Sequence, residues 1–445
     1  MFETLFLLGT ATLALNGVRP ITSSFALSDL FYFAALIALV HDGLFHQKPV
    51  EEWLPLHPFW IPTLLILAGG FISSIGAVQP GESMSATIKT FFLFSFWFSM
   101  GIVMVRRKRV QSVVVCLVLG IGASAGIAVW DRMTGMALGP SLWRLHAGVA
   151  LEVDPFSYVL ASNRYSGTLG HPNQLGQFTA LAIPLAFGLA RSALGDHVRL
   201  PALMYAASAI LLLYATSLSG SAAGLIGALL GVVLILVFEL QRSKHLFRTM
   251  LVPLLLVMIG VGLFSILSDG ELVTTWRNRL AVDARFERAL NITGPGRVDS
   301  DGEAFSLIAE QPWVGYGMDQ GSSADQSGLV TSAGIHNTLI RAWLGGGILV
   351  FLGLLWVYWK ALSMSISGIR AFIQGHAPPY VVGLAVSVIV SVVIDMVQPS
   401  FYQRFAWLPT IMLYAILVTG AQQAFSPVVQ PVQDESGPLA LRLPD

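Results

Sequence analysis

The chain has 445 residues, of which 55% are hydrophobic and only 11% are charged, and its formal net charge is zero. A soluble domain carries about 25% charged residues, so this composition excludes a soluble globular protein and predicts a polytopic membrane protein. The neutral balance gives no sign of nucleic-acid binding. The single cysteine, Cys116, excludes an internal disulfide and a thiolate metal cluster.

About twelve apolar segments are long enough to cross a bilayer, which takes roughly 17–25 residues of helix. The first of them lacks a basic n-region and an A-x-A cleavage site, so we expect a membrane helix there and not a cleavable signal peptide. The predicted spans lie near residues 2–18, 24–44, 58–78, 84–105, 110–130, 169–190, 200–216, 221–240, 249–268, 336–360, 379–397 and 402–421.

The strongest topological signal is the basic run Arg106-Arg107-Lys108-Arg109, which belongs in the cytoplasm. Both termini are then predicted to be cytoplasmic, and the loops 131–168 and 269–335 face the outside. Residues 1–421 are predicted to form one transmembrane domain. The stretch 422–445, rich in proline and acidic residues, is predicted to be a flexible cytoplasmic tail.

The outer loop 269–335 contains five arginines and no lysine. Arginine binds phosphate bidentately and stays charged, so the cluster predicts an anionic ligand such as a lipid diphosphate; local pairing with acidic neighbours is the alternative. Arg297 is the strongest candidate, because it precedes a predicted helix whose start at Ser300 has the spacing of a capping box. The five are Arg277, Arg279, Arg285, Arg288 and Arg297.

His336 and Asn337 stand where the tenth predicted span begins. A neutral imidazole at the membrane boundary accepts a proton and a cationic one binds phosphate; simple helix capping is the alternative. Arg341 lies inside the same span, where a charge normally faces protein or a wet cavity. Lys89 and Asp395 are also intramembrane, and either pairing with each other or lining the same cavity would suit them.

The sixth predicted span is preceded by a polar segment that contains Arg164, His171, Asn173 and Gln174. Pro172 is typical of a helix start. These side chains are predicted to lie at the outer interface, where they bind substrate or only cap the helix. The small hydroxyls of the turn 216–221 allow the same two interpretations.

Motifs for nucleotide or metal cofactors are missing from the sequence: it has no Walker-type loop, G-x-G-x-x-G segment or H-E-x-x-H. Asp299-Ser300-Asp301 has the form of the D-x-D of metal-dependent sugar transferases, but two aspartates at a helix start are more often caps. We therefore expect no metal and no cofactor.

Three of these features together resemble the bacterial O-antigen ligase/polymerase superfamily. The first is the segment Arg164 to Gly176, with its His-Pro-Asn-x-x-Gly. The second is an arginine before a helix that ends in Gln311-Pro312-Trp313-Val314-Gly315-Tyr316-Gly317, and the third is an outer loop that closes on His336-Asn337. The resemblance is strongest over residues 160–350.

The resemblance implies an all-α polytopic fold of about twelve transmembrane helices with a large periplasmic loop, similar to glycosyltransferases of the C type. It further implies a metal-independent transfer of glycan from undecaprenyl diphosphate to an acceptor glycan or to lipid A-core, at the periplasmic face of the bacterial inner membrane. Other polysaccharide assembly proteins would be its partners. His336 and Arg297 match catalytic positions, and Arg277, Arg279, Arg288, Arg164, His171, Asn173, Asn337 and Arg341 are the expected substrate-binding residues.

Two departures from the ligase pattern favour a polymerase of O-antigen or exopolysaccharide over an O-antigen ligase. Val350 stands where the second glycine of a Gly-x-x-Gly is expected after Gly347, and Gly220 stands where an arginine is frequent after Ser219. A transporter or lipid-linked sugar flippase is an alternative of another class, although transporters usually show two related halves. A structural subunit of an envelope complex is a third.

Overall fold

A computed structural model describes residues 1–15, 26–55, 57–136, 138, 164–169, 171–242, 295–318, 335–398 and 403–418, with the backbone alone over 295–301. Within these ranges the regular elements are helices. Arg277, Arg279 and Arg288 lie outside the described residues.

The helices of the described ranges are numbered here in chain order, and two 3-10 turns (Leu13–Leu15 and Gly167–Leu169) accompany them. They are α1 Phe2–Ala11, α2 Leu27–Phe45, α3 Val50–Trp53, α4 Trp60–Ile75, α5 Pro80–Arg106 with a π-helical turn at Leu93–Trp97, α6 Val110–Thr134, α7 Pro172–Gly195, α8 Arg199–Ser219, α9 Ala222–Arg242, α10 Pro295–Glu310, α11 Thr338–Ile373, α12 Pro379–Asp395 and α13 Arg404–Val418.

Seven of these helices are long and apolar enough to cross a membrane, namely α2, α5, α6, α7, α8, α9 and α11. The shorter apolar helices α1, α4, α12 and α13 coincide with four further predicted spans. Within the described residues the prediction of an all-helical fold is therefore confirmed, and these apolar helices agree with a multi-pass membrane protein. The predicted span 249–268 lies outside the described residues, so the count of twelve and the extent of the outer loop stay predictions.

The basic run between α5 and α6 ties the first helices together at one end of the bundle. Arg107 lies 3.3 Å from the carboxylates of both Glu3 and Asp42, and Arg109 Nε lies 2.6 Å from Glu3. Lys48 Nζ is 2.8 Å from Asp42. We call this end, predicted to be cytoplasmic, the basic end.

Helix α7 lies in the centre of the bundle and packs against α8, α9 and α12. Small residues allow these close approaches. A Cβ added at Gly224 would stand 2.7 Å from the backbone of Gly176, and one at Gly383 would stand 2.7 Å from the Pro184 carbonyl oxygen. The buried face of α7 therefore fixes the position of its N-terminal end, at the opposite end of the bundle from the basic end.

Helix α11 is interrupted early in its course. Gly347 has φ +67° and ψ −168°, which divides the helix into a short outer part and a long inner part. A left-handed φ favours glycine. The break creates the surface on which the end of α10 docks.

Candidate functional site

Buried hydrogen bonds to neighbouring helices hold the segment before α7 in place. Thr168 Oγ1 donates to the Ala14 carbonyl over 2.6 Å and to Ser124 Oγ over 2.9 Å. The Tyr165 amide donates to the Leu218 carbonyl over 3.1 Å. The backbone that follows Arg164 is thereby held against the end of α8 at Tyr165 and against Ala14 and Ser124 at Thr168.

Arg164 connects the predicted His-Pro-Asn motif to the turn between α8 and α9. Its Nε donates to the Ser219 carbonyl over 2.9 Å, and its Nη2 donates to Asn173 Oδ1. A Cβ added at Gly220 would lie 3.2 Å from Arg164 Nε. The guanidinium therefore lies on the turn at the very position where an arginine side chain at residue 220 would begin.

His171 caps α7. Its side chain accepts a hydrogen bond from the Asn173 amide over 3.1 Å, with Pro172 at the first helical position as predicted. Burial lowers the pKa of His171, and the nearby Arg164 lowers it further. The imidazole is therefore held neutral with Nδ1 as the acceptor.

Gly176 completes the motif by letting the turn after α8 approach α7. A Cβ there would stand 2.5 Å from Ser221 Cβ and 2.8 Å from Ser219 Oγ. The hydroxyls of Ser219 and Ser221 accept amide hydrogen bonds inside the turn. Turn chemistry thus accounts for these two hydroxyls, in agreement with the structural interpretation of the 216–221 segment.

Asn337 is the N-cap of α11. Its Oδ1 accepts from the amides of Leu339 over 2.9 Å and Ile340 over 3.2 Å, and its Nδ2 donates to the Met396 carbonyl over 3.1 Å. Both ends of this amide are engaged within the protein, so Asn337 fixes the start of α11 against the segment that follows α12. His336 itself lies just outside the helix and is half-buried.

Residues 396–398, which follow α12, join the two polar clusters. Besides the contact from Asn337 to Met396, Gln177 Nε2 on α7 donates to the Gln398 carbonyl over 3.4 Å. Residues 396–398 therefore link α7, one turn after Asn173, to the start of α11, and the Arg164–His171–Asn173 cluster and the His336–Asn337 pair lie at the same end of the bundle. We call this end the polar end.

Two of the predicted intramembrane charges differ in their surroundings. Asp395 is fully buried and accepts a hydrogen bond from Tyr358 Oη over 2.7 Å, while Lys89 is exposed. Arg341 is half-buried on the first turns of α11, where its amide donates to the Asn337 carbonyl. Arg341 is thus an intramembrane cation near the start of the helix that follows His336.

Helix α10 starts earlier than predicted. The capping-box spacing placed the start at Ser300, but the helix begins at Pro295, so the prediction was wrong by five residues. Proline suits the first helical position because its fixed φ matches the helix and it has no amide hydrogen to leave unsatisfied. Arg297 consequently lies in the first turn and not before it, and Asp299 and Asp301 lie in the helix as well.

The helix ends at Glu310, five residues before Gly315, and the predicted turn at Gly315–Gly317 follows it and docks on the break in α11. The amides of Tyr316 and Gly317 donate to the carbonyls of Leu344 and Gly345 over 2.8 and 2.7 Å. A Cβ at Gly347 would lie 2.3 Å from the Trp313 carbonyl oxygen. Glycine at this point is therefore required by the contact as well as by the backbone.

Side chains strengthen the same contact. Trp343 Nε1 donates to the Pro312 carbonyl over 3.0 Å, and Ser83 Oγ accepts from the Met318 amide over 2.7 Å. An apolar cluster connects α10 to the start of α11; it consists of Ala304, Ile308, Ile335 and Leu344, with Leu307, Tyr316, Ile340 and Trp343 against it. Helix α10 is thus fixed along the outer part of α11, beside His336.

Sequence reasoning missed the roles of Ser83 and Trp343. Nothing local distinguishes either residue, since each acts through a partner distant in the chain. A signal did exist in the run Gly345-Gly346-Gly347, which is costly inside a helix and indicates a close backbone approach. Val350 is explained too, because its side chain fills space over Gly69 on α4 and over Gly346.

The polar end therefore carries the half-buried imidazole of His336, the exposed histidine cap of α7 and the guanidinium of Arg164, with the arginine-bearing helix α10 alongside the start of α11. Within the described part of the chain, no group of three or more His, Cys, Asp or Glu side chains gathers as a metal site would need. The arrangement suits the binding of an anion by arginine.

A family model described as O-antigen ligase matches residues 207–355. The matched region runs from α8 through α10 to the middle of α11, so it includes Gly220, Arg297, His336 and Arg341. A comparison with curated proteins gave no match.

Proposed function

We propose that the chain is a membrane glycosyltransferase of surface polysaccharide assembly. The premise is that it belongs, through residues 207–355, to the O-antigen ligase/polymerase superfamily. Family membership supports a multi-pass membrane enzyme that ligates or polymerises surface glycans. The finer assignment is a polymerase that takes undecaprenyl-diphosphate-linked oligosaccharide as donor, in the inner membrane and with its site toward the periplasm.

One observation supports this proposal most strongly: the fixing of α10 beside His336. The docked Gly315–Gly317 turn and the apolar cluster hold the helix that carries Arg297 against the outer part of α11. The first turn of a helix presents free amide groups, and together with an arginine these favour a phosphate. A lipid diphosphate held there would lie at the same end of the bundle as His336.

In the proposed reaction, a hydroxyl oxygen of the acceptor glycan attacks the anomeric carbon of the donor. The bond from that carbon to the diphosphate oxygen breaks, and undecaprenyl diphosphate leaves with the electron pair. His336 takes the proton of the attacking hydroxyl or contacts the diphosphate. Negative charge grows on the leaving group, where preorganised cations contribute several kcal/mol.

Arg297 is proposed to hold the diphosphate, with help from Arg277, Arg279 or Arg288. On the bundle itself, Arg164 and Arg341 supply further positive charge at the polar end. His171 and Asn173 then act mainly by positioning Arg164, since one caps α7 and the other accepts from the guanidinium.

An O-antigen ligase is the second candidate, because the matching family is described by that activity. Against it stand the two departures from the ligase pattern, Gly220 and Val350, which the structure accommodates by placing Arg164 on the turn and by opposing Val350 to glycines. The polymerase assignment therefore has to be tested on the product.

The test compares surface polysaccharide from a deletion strain with that of its parent on a length-resolving gel. The strain is complemented with the wild type, with His336→Ala, with Arg297→Ala and, as a matched control, with His376→Ala, an exposed histidine at the other end of α11. A polymerase predicts collapse of the ladder to single repeat units, restored by wild type and by His376→Ala but not by the other two.

Other outcomes of the same gel contradict the proposal. Long chains that stay on the lipid carrier would show a ligase. Unchanged surface glycan would favour a transporter of another compound. Full rescue by both His336→Ala and Arg297→Ala would leave only a structural role in the assembly machinery.

A further inference from the structure

A polar cavity lies at the basic end of the bundle, at the opposite end from His336. Its volume is about 370 Å³, and it opens among the inner ends of α7, α9 and α12 and the first turn of α6. Gln111 in its wall directly follows the basic run Arg106–Arg109. The charged residues of the lining are Arg191, Asp196, Glu239 and Arg242.

Glu239 in this cavity is a buried acid that forms an ion pair with Arg191, and its oxygens have no hydrogen-bond partner among the described residues. Its side chain is 2% exposed, and Arg191 Nε lies 3.5 Å from Oε2 without the geometry of a hydrogen bond. Arg191 Nε and Ser192 Oγ, both on the same wall, are also buried without a hydrogen-bond partner among the described residues. Buried polar groups are normally satisfied, because leaving one unsatisfied costs about 1–3 kcal/mol.

The charges that line the cavity suit a ligand that carries both a positive and a negative group. Two basic and two acidic side chains line it, so it carries no net charge and does not select a simple anion. Arg242 is held at its edge, since Nη1 donates to the Ala377 carbonyl over 3.3 Å and the guanidinium lies 4.5 Å above the Phe372 ring. The carboxylate of Glu239 can accept hydrogen bonds from a ligand, and the guanidinium groups of Arg191 and Arg242 can donate them.

We propose that this cavity binds the zwitterionic headgroup of an aminophospholipid. Its primary ammonium donates to Glu239, and its phosphodiester accepts from Arg191 and Arg242. An ammonium has three N–H donors and suits a carboxylate with unused lone pairs, while arginine matches the paired oxygens of a phosphate. The inference is independent of the proposed glycosyltransferase activity.

A membrane lipid, and not a soluble metabolite, is the proposed source because the cavity lies among the ends of membrane-spanning helices. Arginine side chains in pockets between such helices bind the phosphate of lipid headgroups. The acyl chains would extend along the apolar surfaces of the same helices. The bound headgroup would thus hold α7, α9 and α12 together at the basic end, opposite to the polar end.

The wild-type protein alone provides the first test. Full-length protein in detergent is given dioleoyl phosphatidylethanolamine, phosphatidylcholine or phosphatidylglycerol in equal amounts, and retained lipid is counted by native mass spectrometry. We expect about tenfold preference for phosphatidylethanolamine over phosphatidylcholine, whose ammonium has no N–H to donate, as the loss of one charge-assisted hydrogen bond predicts. Equal retention of the three lipids would overturn the proposal.

Variants locate the site. Glu239→Gln should abolish the preference while Arg370→Gln, an exposed basic residue at the same end, leaves it intact. Should Glu239→Gln fail to fold, Arg191→Gln is measured instead, with loss of phosphatidylethanolamine retention expected. Displacement of the lipid by inorganic phosphate but not by glycerophosphoethanolamine would show an anion site and refute the zwitterion assignment.

Discussion

Arg164 and Gly220 share one place in the molecule, and this suggests an exchange experiment. Arg164→Ala removes the guanidinium that bonds the Ser219 carbonyl and Asn173, so we expect at least about a tenfold loss of polymer synthesis from the lost charge-assisted hydrogen bonds, each contributing about 1.5–3 kcal/mol. Adding Gly220→Arg should restore part of it, because the new side chain starts at the vacated position.

The restoration should be incomplete. Gly220 has φ +58°, which costs a side-chain residue roughly 1–2 kcal/mol. In the wild-type background Gly220→Arg is expected to lower synthesis, since two guanidinium groups would then compete for one turn. The measurement is polymer yield per unit of membrane-inserted protein, with the exposed Arg199→Ala as the control. A double variant no better than Arg164→Ala alone would refute the shared position.

His171 predicts a pH dependence of stability. Its pKa is lowered in the folded protein by burial and by Arg164, below the ordinary value of 6.5. Its contribution as a neutral cap is therefore complete above pH 6.5 and is lost as pH falls toward the lowered pKa, because the unfolded state binds the proton more tightly. The melting temperature should decrease as the pH is lowered from 8 to 5.

The variant His171→Asn isolates that contribution, because asparagine also caps a helix but does not titrate. Its melting temperature should depend less on pH than that of the wild type, whereas His376→Asn should behave as wild type. A remaining fall is expected from His57, whose pKa burial lowers to about 4. Identical slopes for wild type and His171→Asn would contradict the neutral cap.

At the scale of elements, the docking of α10 on the break in α11 can be tested by adding one methyl group. Gly347→Ala forces a side chain to φ +67° and brings Cβ within 2.3 Å of the Trp313 carbonyl oxygen. We expect the 312–317 turn to detach, with strong loss of polymer and faster proteolysis near this turn. Gly302→Ala on α10, whose Cβ would meet nothing within 4 Å, should retain activity and stabilise that helix by about 0.5–1 kcal/mol.

The helices themselves were predictable from sequence, because a membrane span is recognised by its continuous run of apolar residues. The ends were less so. Pro295 outranked the Ser300 capping-box spacing at the start of α10, and α11 continues to Ile373, well beyond the predicted residue 360. The polarity of the His-Pro-Asn segment indicated its place at a helix entrance, and Asn337 does cap α11.

The relation between the site residues was not predictable in the same way. Two contacts join residues that are far apart in the chain. Arg164 lies against Gly220, and the Met396 carbonyl accepts a hydrogen bond from Asn337 Nδ2. Periodicity and local motifs carry no information about such pairs. Glu239 was overlooked for a similar reason: at the end of an apolar run it resembles an ordinary boundary charge, and only the structure shows it buried.

At the scale of the whole molecule, the two ends of the bundle are chemically different, and this predicts its orientation. The basic end gathers Arg107, Arg109 and Lys48 with their acidic partners, whereas the polar end carries His171 and His336. Cytoplasmic loops of membrane proteins are rich in lysine and arginine. We therefore expect the basic end in the cytoplasm and the polar end in the periplasm, where lipid-linked glycan would be met.

Two single-cysteine proteins test this orientation across one stretch of chain. In a Cys116→Ser background, Gly302→Cys places an exposed thiol on α10 beside the start of α11, and Gln374→Cys places one just after its end. The first should react with a membrane-impermeant maleimide in cells whose outer membrane alone is opened. The second should react only after the inner membrane is broken. The inverse pattern would put Arg297 and His336 on the cytoplasmic side, and a glycosyltransferase using periplasmic donor would then be untenable.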